Sequence, residues 1–418
     1  MDPTIIIAAA IASLAGAALG TFSGLTPGIH ANTLASILLV AYPTLQSLIS
    51  VLIPESHVAV IVCCCIMSAS VVHSFVDFVP SVFIGAPDAE DAVSILPGHR
   101  LVLMGRGMDA VRAAAIGSLV GCSVAIVLSV PLQYIMLNGA EEVMDRLTPL
   151  VLLVATSILI LNEARRGKAV WGIVGFVLSG LLGIMCGRLP IPAHGILGEG
   201  TLLFPLLTGL FGIPVLLEAA AGNGIPSQHD DGTDPVGLVP GIKGVVTGCI
   251  AGWFPGITST VGASMSACFM PEDRPERFIS TVASVGTVTS VLSLVTLSVS
   301  GSGRSGSAIV MGEVLGDSVR GFMSEPFVTI LLSTAIASVA GYLLTIWSGH
   351  LMTSFVSRVD EKRMNRTVIA ILVVLVLLTT GPYGILVLIS AIAIGFVPTA
   401  CGTGRTVLCG CLILPVMI

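Results

Sequence analysis

Charge is scarce in this sequence. Of its 418 residues only 10% are Asp, Glu, Lys or Arg, whereas 54% are hydrophobic, and the mean hydropathy is +1.01. Soluble domains carry roughly a quarter charged residues, so this deficit excludes an ordinary water-facing surface and points to a bilayer as solvent. The net charge of −6 is spread thinly, which argues against a nucleic-acid or anionic-lipid partner. Short alternating strands are also missing, which excludes a β-barrel. Residues 5–19 are apolar but lack a basic start and a small-residue cleavage site, so no separate signal peptide is expected.

What is present is apolar sequence in windows of about 20 residues, the length that crosses the hydrocarbon core. Such segments fall near 5–24, 30–42, 57–80, 113–137, 148–163, 169–187, 201–220, 237–254, 258–270, 278–300, 326–349, 367–380, 383–397 and 404–418. The expected fold is an all-α polytopic membrane protein of about 10–12 membrane elements, the shorter ones half-helices or re-entrant. The 47 glycines suit close helix packing and broken helices. Cys63, Cys64, Cys65, Cys122, Cys249, Cys268, Cys409 and Cys411 lie in apolar stretches and read as small hydrophobes. Neighbouring helix positions point Cys63, Cys64 and Cys65 in different directions, so no metal site is expected there.

Basic residues set the orientation. Arg100, Arg106 and Arg112 cluster in one loop, Arg165, Arg166 and Lys168 in another, and Arg358, Lys362, Arg363 and Arg366 in a third. All three are assigned to the cytoplasm, which leaves the acidic loop at 138–147 outside. The sequon at Asn365 lies beside the third cluster and reads as chance. Residues 227–241, "SQHDDGTDPVGLVPG", are the most loop-like central stretch. They divide a first membrane repeat, 1–226, from a second, 244–418, with 227–243 as a polar linker.

The two halves resemble each other. "GAALGTFSGLTPGIHANTLAS" (16–36) and "GVVTGCIAGWFPGITSTVGAS" (244–264) agree at eight positions with a constant offset of 228. Small-residue packing faces recur by chance in membrane helices. An ungapped Gly-x3-Gly-x3-Gly-x2-Pro-Gly-Ile in both halves favours duplication instead. "GAPDAEDAVSILPG" (85–98) and "GRSGSAIVMGEVLG" (303–316) form a weaker pair of equivalent Gly-rich loops.

The chemistry follows from the breaks. Proline removes a backbone donor and clashes with the preceding turn, and the adjacent glycine weakens the helix further. The interruption frees carbonyls on one side and N–H groups on the other, tolerable in a membrane only where protein, water or ligand satisfies them. Helix N-termini suit an anion, and free carbonyls and hydroxyls suit Na⁺ or a protonated water. The candidate binding residues are therefore Ser23, Gly24, Thr26, Pro27, Gly28, His30, Asn32 and Thr33 at the first break. At the second they are Gly252, Pro255, Gly256, Thr258, Ser259 and Thr260, with Ser264 one turn on. No catalytic residue, metal or cofactor is assigned; Na⁺ or H⁺ is the candidate coupling ion.

At these residues the sequence resembles the large membrane subunit of the tripartite tricarboxylate transporters, the TctA family. Pro27–Ile29 and Pro255–Ile257 look like that family's duplicated Pro-Gly motif. Residues 84–121, "IGAPDAEDAVSILPGHRLVLMGRGMDAVRAAAIGSLVG", are similar to its loop, and "GRSGSAIVMGE" (303–313) to its Arg-Ser-Gly segment. The resemblance implies a transporter, not an enzyme, in the cell membrane, working with a small membrane subunit and a soluble binding protein. A homo-oligomer is a further candidate assembly. The chain is shorter than usual for the family, carries His30 at a position expected to be small, and has "APDAED" where Pro-Gly usually starts the loop. The resemblance thus supports a small organic anion of the carboxylate class better than citrate itself.

The expected function is secondary transport of that anion by alternating access, with the site between the two breaks. The repeats are expected to be inverted if residues 5–42 make a hairpin and parallel if they make one crossing; the lack of Lys and Arg before residue 5 favours inversion. Arg304 and Ser305 join the candidate site, at the end of a helix crowded with hydroxyls (Thr281, Ser284, Thr287, Thr289, Ser290, Ser293, Thr296, Ser298, Ser300) that read as a polar path to a cation. His73 and Asp77 could form a proton relay, although an interfacial position is the preferred reading. Asp88, Glu90 and Asp91 read as a solvated acidic turn. Two rivals were weighed: a translocase of a lipid-linked phosphate, and an intramembrane serine protease using Ser305 of "GRSG" with His350 as base. The protease leaves the duplicated breaks unexplained.

Overall fold

The computed structural model describes residues 3–26, 31–85, 95–188, 193–196, 198–199, 202–219, 226–254, 259–301, 303, 305–356 and 361–417. The first half runs through α1 (Pro3–Leu25), α2 (Ala31–Ile49), α3 (Glu55–Val76), its continuation α4 (Phe78–Ile84), α5 (Ile95–Leu103), α6 (Gly107–Ile135), α7 (Glu141–Arg165) and α8 (Ala169–Arg188). A small hairpin of β1 (His194–Gly195) and β2 (Gly198–Glu199) follows, then the short α9 (Leu203–Leu207) and α10 (Ile213–Ala219). The second half comprises α11 (Val239–Trp253), α12 (Ser259–Phe269), α13 (Pro275–Ser300), α14 (Gly306–Leu315), α15 (Glu325–Val356), α16 (Glu361–Gly395), α17 (Val397–Cys401) and α18 (Gly410–Met417). Among the described residues, eight stretches are long and apolar enough to cross a membrane. The chain is thus the all-α polytopic protein that its composition implies.

Two of those stretches form the centre. Glu55–Ile84 and Pro275–Ser300 are each 89% buried in their most apolar window, against 28% for Arg146–Arg165 at the periphery. Both are apolar on most faces and are covered by other helices of the protein.

Small residues set how closely the neighbours approach. Gly16, Gly20 and Gly24 recur every fourth residue and so form one stripe of α1. A Cβ on Gly16 would overlap the Cys65 carbonyl oxygen, one on Gly20 that of Ala69, and one on Gly24 would lie 3.0 Å from the Val76 Cβ. The contacts climb α3 in the order they climb α1, so the two helices are parallel. The described part of the chain between them, α2, must therefore lead back toward the level at which α3 starts. Gly244, Gly248 and Gly252 repeat the arrangement on α13, facing Thr281 and Ser284, then Val285 and Val288, then Thr289 and Leu292.

Cross-pairing joins the halves. α6 runs parallel to α13, with Gly117 against Ser280, Gly121 against Ser284 and the Gln133 amide donating to Ser298 Oγ at 2.9 Å. α3 runs parallel to α15, through Ser68 and Ser333 (3.1 Å) and Phe75 against Gly341. α15 opposes α6, because Gly349 packs on Met108 and Val111 whereas Ser338 meets Cys122. Hence α1, α3 and α15 run one way, and α6, α11 and α13 run the other.

One end of the bundle gathers basic residues and their partners. Arg106 meets Glu276 (2.6 Å), Arg112 meets Asp230 through two hydrogen bonds (2.7 and 2.9 Å), Lys243 meets Glu272 (2.7 Å) and Arg405 meets Glu218 (2.7 Å). Glu163, in the last turn of α7, joins them by accepting from the Gly404 N–H and pairing with Arg166. The first two basic clusters therefore share a face.

Two boundaries differ from the sequence reading, and a third falls where it was expected. Arg100 lies on α5 and not in a loop. The acidic loop at 138–147 shrinks to a turn at Asn138 and Gly139 (φ 100°), because Glu141 and Glu142 open α7, where carboxylates favour a helix N-terminus. α16 doubles back at Gly381 (φ 67°) before Pro382: Asn365 donates to the Leu216 carbonyl, and Gly395 packs on Leu210 and Pro214, so both its ends meet one short segment. Asn365 is buried, which agrees with the sequon being chance.

Candidate functional site

The first break begins where α1 ends. Ser23 Oγ donates to the Gly20 carbonyl (3.1 Å) and shares a 2.9 Å hydrogen bond with His73 Nδ1 of α3; Thr26 Oγ1 donates to the Phe22 carbonyl (2.7 Å). Pro27, Gly28 and His30 lie outside the described residues, as does the Thr33 side chain. On the far side, Asn32 sits in the first turn of α2, and its Oδ1 accepts from the Ser307 N–H at 3.0 Å. This contact brings the first break against "GRSG", 275 residues away. It needs a glycine at 306, where a Cβ would lie 2.7 Å from Asn32 Cγ.

Ser305 caps α14 by accepting from the Ala308 N–H at 3.2 Å and bonds to the Ser307 hydroxyl at 3.1 Å. Ser307 continues to Ser70 of α3 (3.3 Å), and one turn further Ser74 meets Ser290 of α13 (3.4 Å). Arg304 lies outside the described residues. Ser70, Ser74, Ser290 and Ser307 thus form the floor on which the first break rests. The sequence reading did not connect Ser70, Ser74 and Ser307 to the site, although Ser70 and Ser74 flank His73 at helical spacing.

The second break follows Gly252, which packs on Thr289 and Leu292. Pro255, Gly256 and Thr258 lie outside the described residues. Ser259 and Thr260 open α12 and are buried, while Ser264 donates to the Thr260 carbonyl (2.9 Å) and bonds to Cys409 Sγ (2.8 Å). The last described turns before the two breaks lie near one level. Gly24 packs beside Asp77, one turn from Ser74, and Gly252 packs beside Thr289 and Leu292, which flank Ser290. The Ser74–Ser290 contact therefore marks a common level for both interruptions. The end of α1 and the start of α2 lie on the α3 side of this contact with the capped N-terminus of α14, and the end of α11 lies on the α13 side.

The structure corrects two expectations and sets aside the protease rival. His73 and Asp77 are not interfacial: they are 1% and 3% exposed, and Asp77 is the joint between α3 and α4. The hydroxyls of α13 do not line a continuous path. Thr281, Ser284 and Thr287 donate to the carbonyls of Pro240, Gly241 and Ser118 on neighbouring helices, and Thr289, Ser293, Thr296, Ser298 and Ser300 donate back to their own helix. In an apolar interior a hydroxyl takes the nearest carbonyl, so the row is packing glue. The protease pairing also fails: Ser305 is a helix cap, whereas His350 lies 3.6 Å from Asp230 on the basic face. Asp88, Glu90 and Asp91 fall outside the described residues, and among the described ones no cluster of His, Cys, Asp or Glu could hold a metal.

Comparison with known proteins agrees with this architecture. No solved structure matches the chain. An uncharacterized protein of Methanocaldococcus jannaschii is 28% identical over 412 residues, 96% of each chain. The family model described as "Tripartite tricarboxylate transporter TctA family" matches residues 10–410, nearly the whole length. The chain therefore belongs to the tripartite tricarboxylate transporter TctA family, a family of membrane transporters and not of enzymes.

Proposed function

We propose that this protein is the substrate-translocating membrane subunit of a tripartite system and moves a small organic anion of the carboxylate class across the cell membrane. The observation that carries the reading is that α1 and α11, the helices leading into the two Pro-Gly motifs, pack on α3 and α13 beside the Ser74–Ser290 contact. The anion binds there, held by the N–H groups that the breaks expose and by Ser23, Asn32, Ser259, Thr260 and Ser305. Pro27, Gly28, His30, Pro255, Gly256, Thr258 and Arg304 belong to the same proposed site.

The opposite directions of α1–α3 and α11–α13 support inverted repeats around that site, and hence alternating access by movement of one broken-helix element against the other. Buried His73 and Asp77, beside the first break, are the candidate carriers of a coupling proton, with Na⁺ as the other candidate ion. A small membrane subunit and a soluble binding protein, the partners of a tripartite system, would deliver the substrate.

Uptake into proteoliposomes of labelled di- and tricarboxylates, with and without Na⁺ and pH gradients, tests the proposal. Replacing Pro27 and Gly28 together by Ala should restore a continuous helix and abolish uptake while the protein still folds. Passage of a lipid-linked phosphate, with no carboxylate taken up under any gradient, would overturn it.

A further inference from the structure

A second polar site lies on the basic face, away from both breaks. There α5, α10 and the beginning of α13 enclose a cavity of about 640 Å³. Its acidic residues are already matched. Glu218 accepts from Arg405 at 2.7 Å and from the Thr399 hydroxyl at 2.6 Å, Glu272 pairs with Lys243 at 2.7 Å, and Asp273 pairs with Arg277 at 3.4 Å. Arg274 in turn leans on Glu276 at 3.4 Å.

Donors remain unmatched. Arg100 lines the cavity, is exposed at its mouth and has no ion pair among the described residues, so it is free to turn to a ligand. His99 also lines it and is 2% exposed, and neither of its ring nitrogens has a hydrogen-bond partner among the described residues. A buried polar group left in this state is costly unless something supplies the missing bond. Burial holds the imidazole below its ordinary pKa, so at neutral pH it is an uncharged ring with one N–H to give. The 26-residue α13 starts at the same wall with Pro275 in its first turn and no side-chain cap on its N-terminus. A guanidinium, a buried imidazole and an uncapped helix N-terminus all favour one kind of ligand, a small anion.

We propose that this cavity is a second anion site, separate from the breaks, which takes a carboxylate of the transported anion on Arg100, His99 and the first turn of α13. The proposal rests on the transport reading above. It gives the substrate a holding position at the basic face, before or after its passage. The matched acids around the cavity keep binding weak, as a site on a path requires: favourable enough to enter, loose enough to leave.

The test uses the full chain in nanodiscs, with histidine side chains isotope-labelled and citrate as the probe. Titration should move one histidine signal saturably, and His99→Gln should remove that signal. Arg100→Ala should raise the midpoint at least about tenfold, with Arg100→Lys falling between. Uptake measured in parallel keeps the two readings distinct. A protein that takes up citrate while its His99 signal stays still, or moves equally in Arg100→Ala, overturns the cavity and leaves the transport reading in place. A saturable, Arg100-dependent shift in a protein that transports no carboxylate upholds the cavity as a carboxylate site and removes the transport reading. If Arg100→Ala does not fold, the wild-type titration and Arg100→Lys decide the matter.

Discussion

A methyl group at Gly20 has no room. It would overlap the Ala69 carbonyl oxygen and lie 3.0 Å from the His73 backbone nitrogen. Non-bonded carbon atoms rest about 3.5–4.0 Å apart, so α1 and α3 must separate by about 1 Å to admit it. Overpacking of this kind costs about 1–3 kcal/mol, and the better helix propensity of alanine returns about 0.5–1 kcal/mol. The Gly20→Ala protein should therefore fold with a modestly lower Tm. Its function should suffer more. Ser23 sits one turn along the same helix, and its 2.9 Å bond to His73 would stretch to about 4 Å and be lost. A hydrogen bond of about 1 kcal/mol corresponds to roughly a fivefold effect, so uptake should fall at least that far. Gly248→Ala, where the new Cβ would lie 2.7 Å from the Val288 Cβ, should act in the same sense from the other half. Gly187→Ala in α8, where a Cβ meets nothing within 4 Å, is the control and should leave uptake unchanged. Thermal unfolding of the detergent-solubilised protein and proteoliposome uptake are the paired assays. Wild-type uptake in Gly20→Ala would falsify the claim that this close contact positions the first break.

Asn32→Ala removes the acceptor of the Ser307 N–H, which should destabilise the protein by about 1–3 kcal/mol and lower substrate affinity, whereas Asn32→Asp keeps the acceptor and should retain most of the stability. Asp230, 16% exposed, is held below the usual carboxylate range by the Arg112 guanidinium beside it. Its contribution is present above the unfolded pKa of about 3.9 and lost as pH falls through the lower folded value. Asp230→Asn should cost about 2 kcal/mol near neutrality and flatten the acid limb of the thermal-shift profile. His99, neutral in the folded protein, gives the same pH direction. Its folded pKa is lowered, so the unfolded chain binds the extra proton, and stability should decline as pH drops below about 6.5. His99→Gln should remove that part of the slope; an unchanged profile would place the imidazole in water.

Much of this arrangement was legible from the sequence, and the reasons are particular. The Gly16–Gly20–Gly24 and Gly244–Gly248–Gly252 rows were visible as spacing, and spacing is what fixes a helix stripe, so a close-packing face could be anticipated, although not that each would pack on the next helix but one. The break between 367–380 and 383–397 was likewise marked by Gly381 and Pro382. Contacts between distant segments were not legible. Nothing in "GRSG" says that Asn32 will sit beside it, because that approach depends on the absent Cβ of Gly306 and on where α14 re-enters the bundle. His73 and Asp77 were misplaced for a related reason. Charge near the end of an apolar run usually marks the interface, but here α4 continues the run past Asp77 and carries the pair inward. The α13 hydroxyls misled because composition cannot tell a lining hydroxyl from one bonded to its own helix.

The cross-pairing of α3 with α15 and of α6 with α13 also constrains how the protein is made. When α3 leaves the ribosome, the helix that will cover it is about 265 residues away, the separation of Ser68 from Ser333. α6 waits in the same way for α13, 165 residues later at the Gln133–Ser298 bond. The early helices must therefore reside in lipid or against a membrane chaperone with their hydroxyls and glycine notches uncovered, and assembly completes only after the second half has inserted. A chain truncated before α13 would present that unfinished surface to the membrane, and the quality-control proteases that survey it would find Ser70 and Gln133 without the partners they meet in the second half.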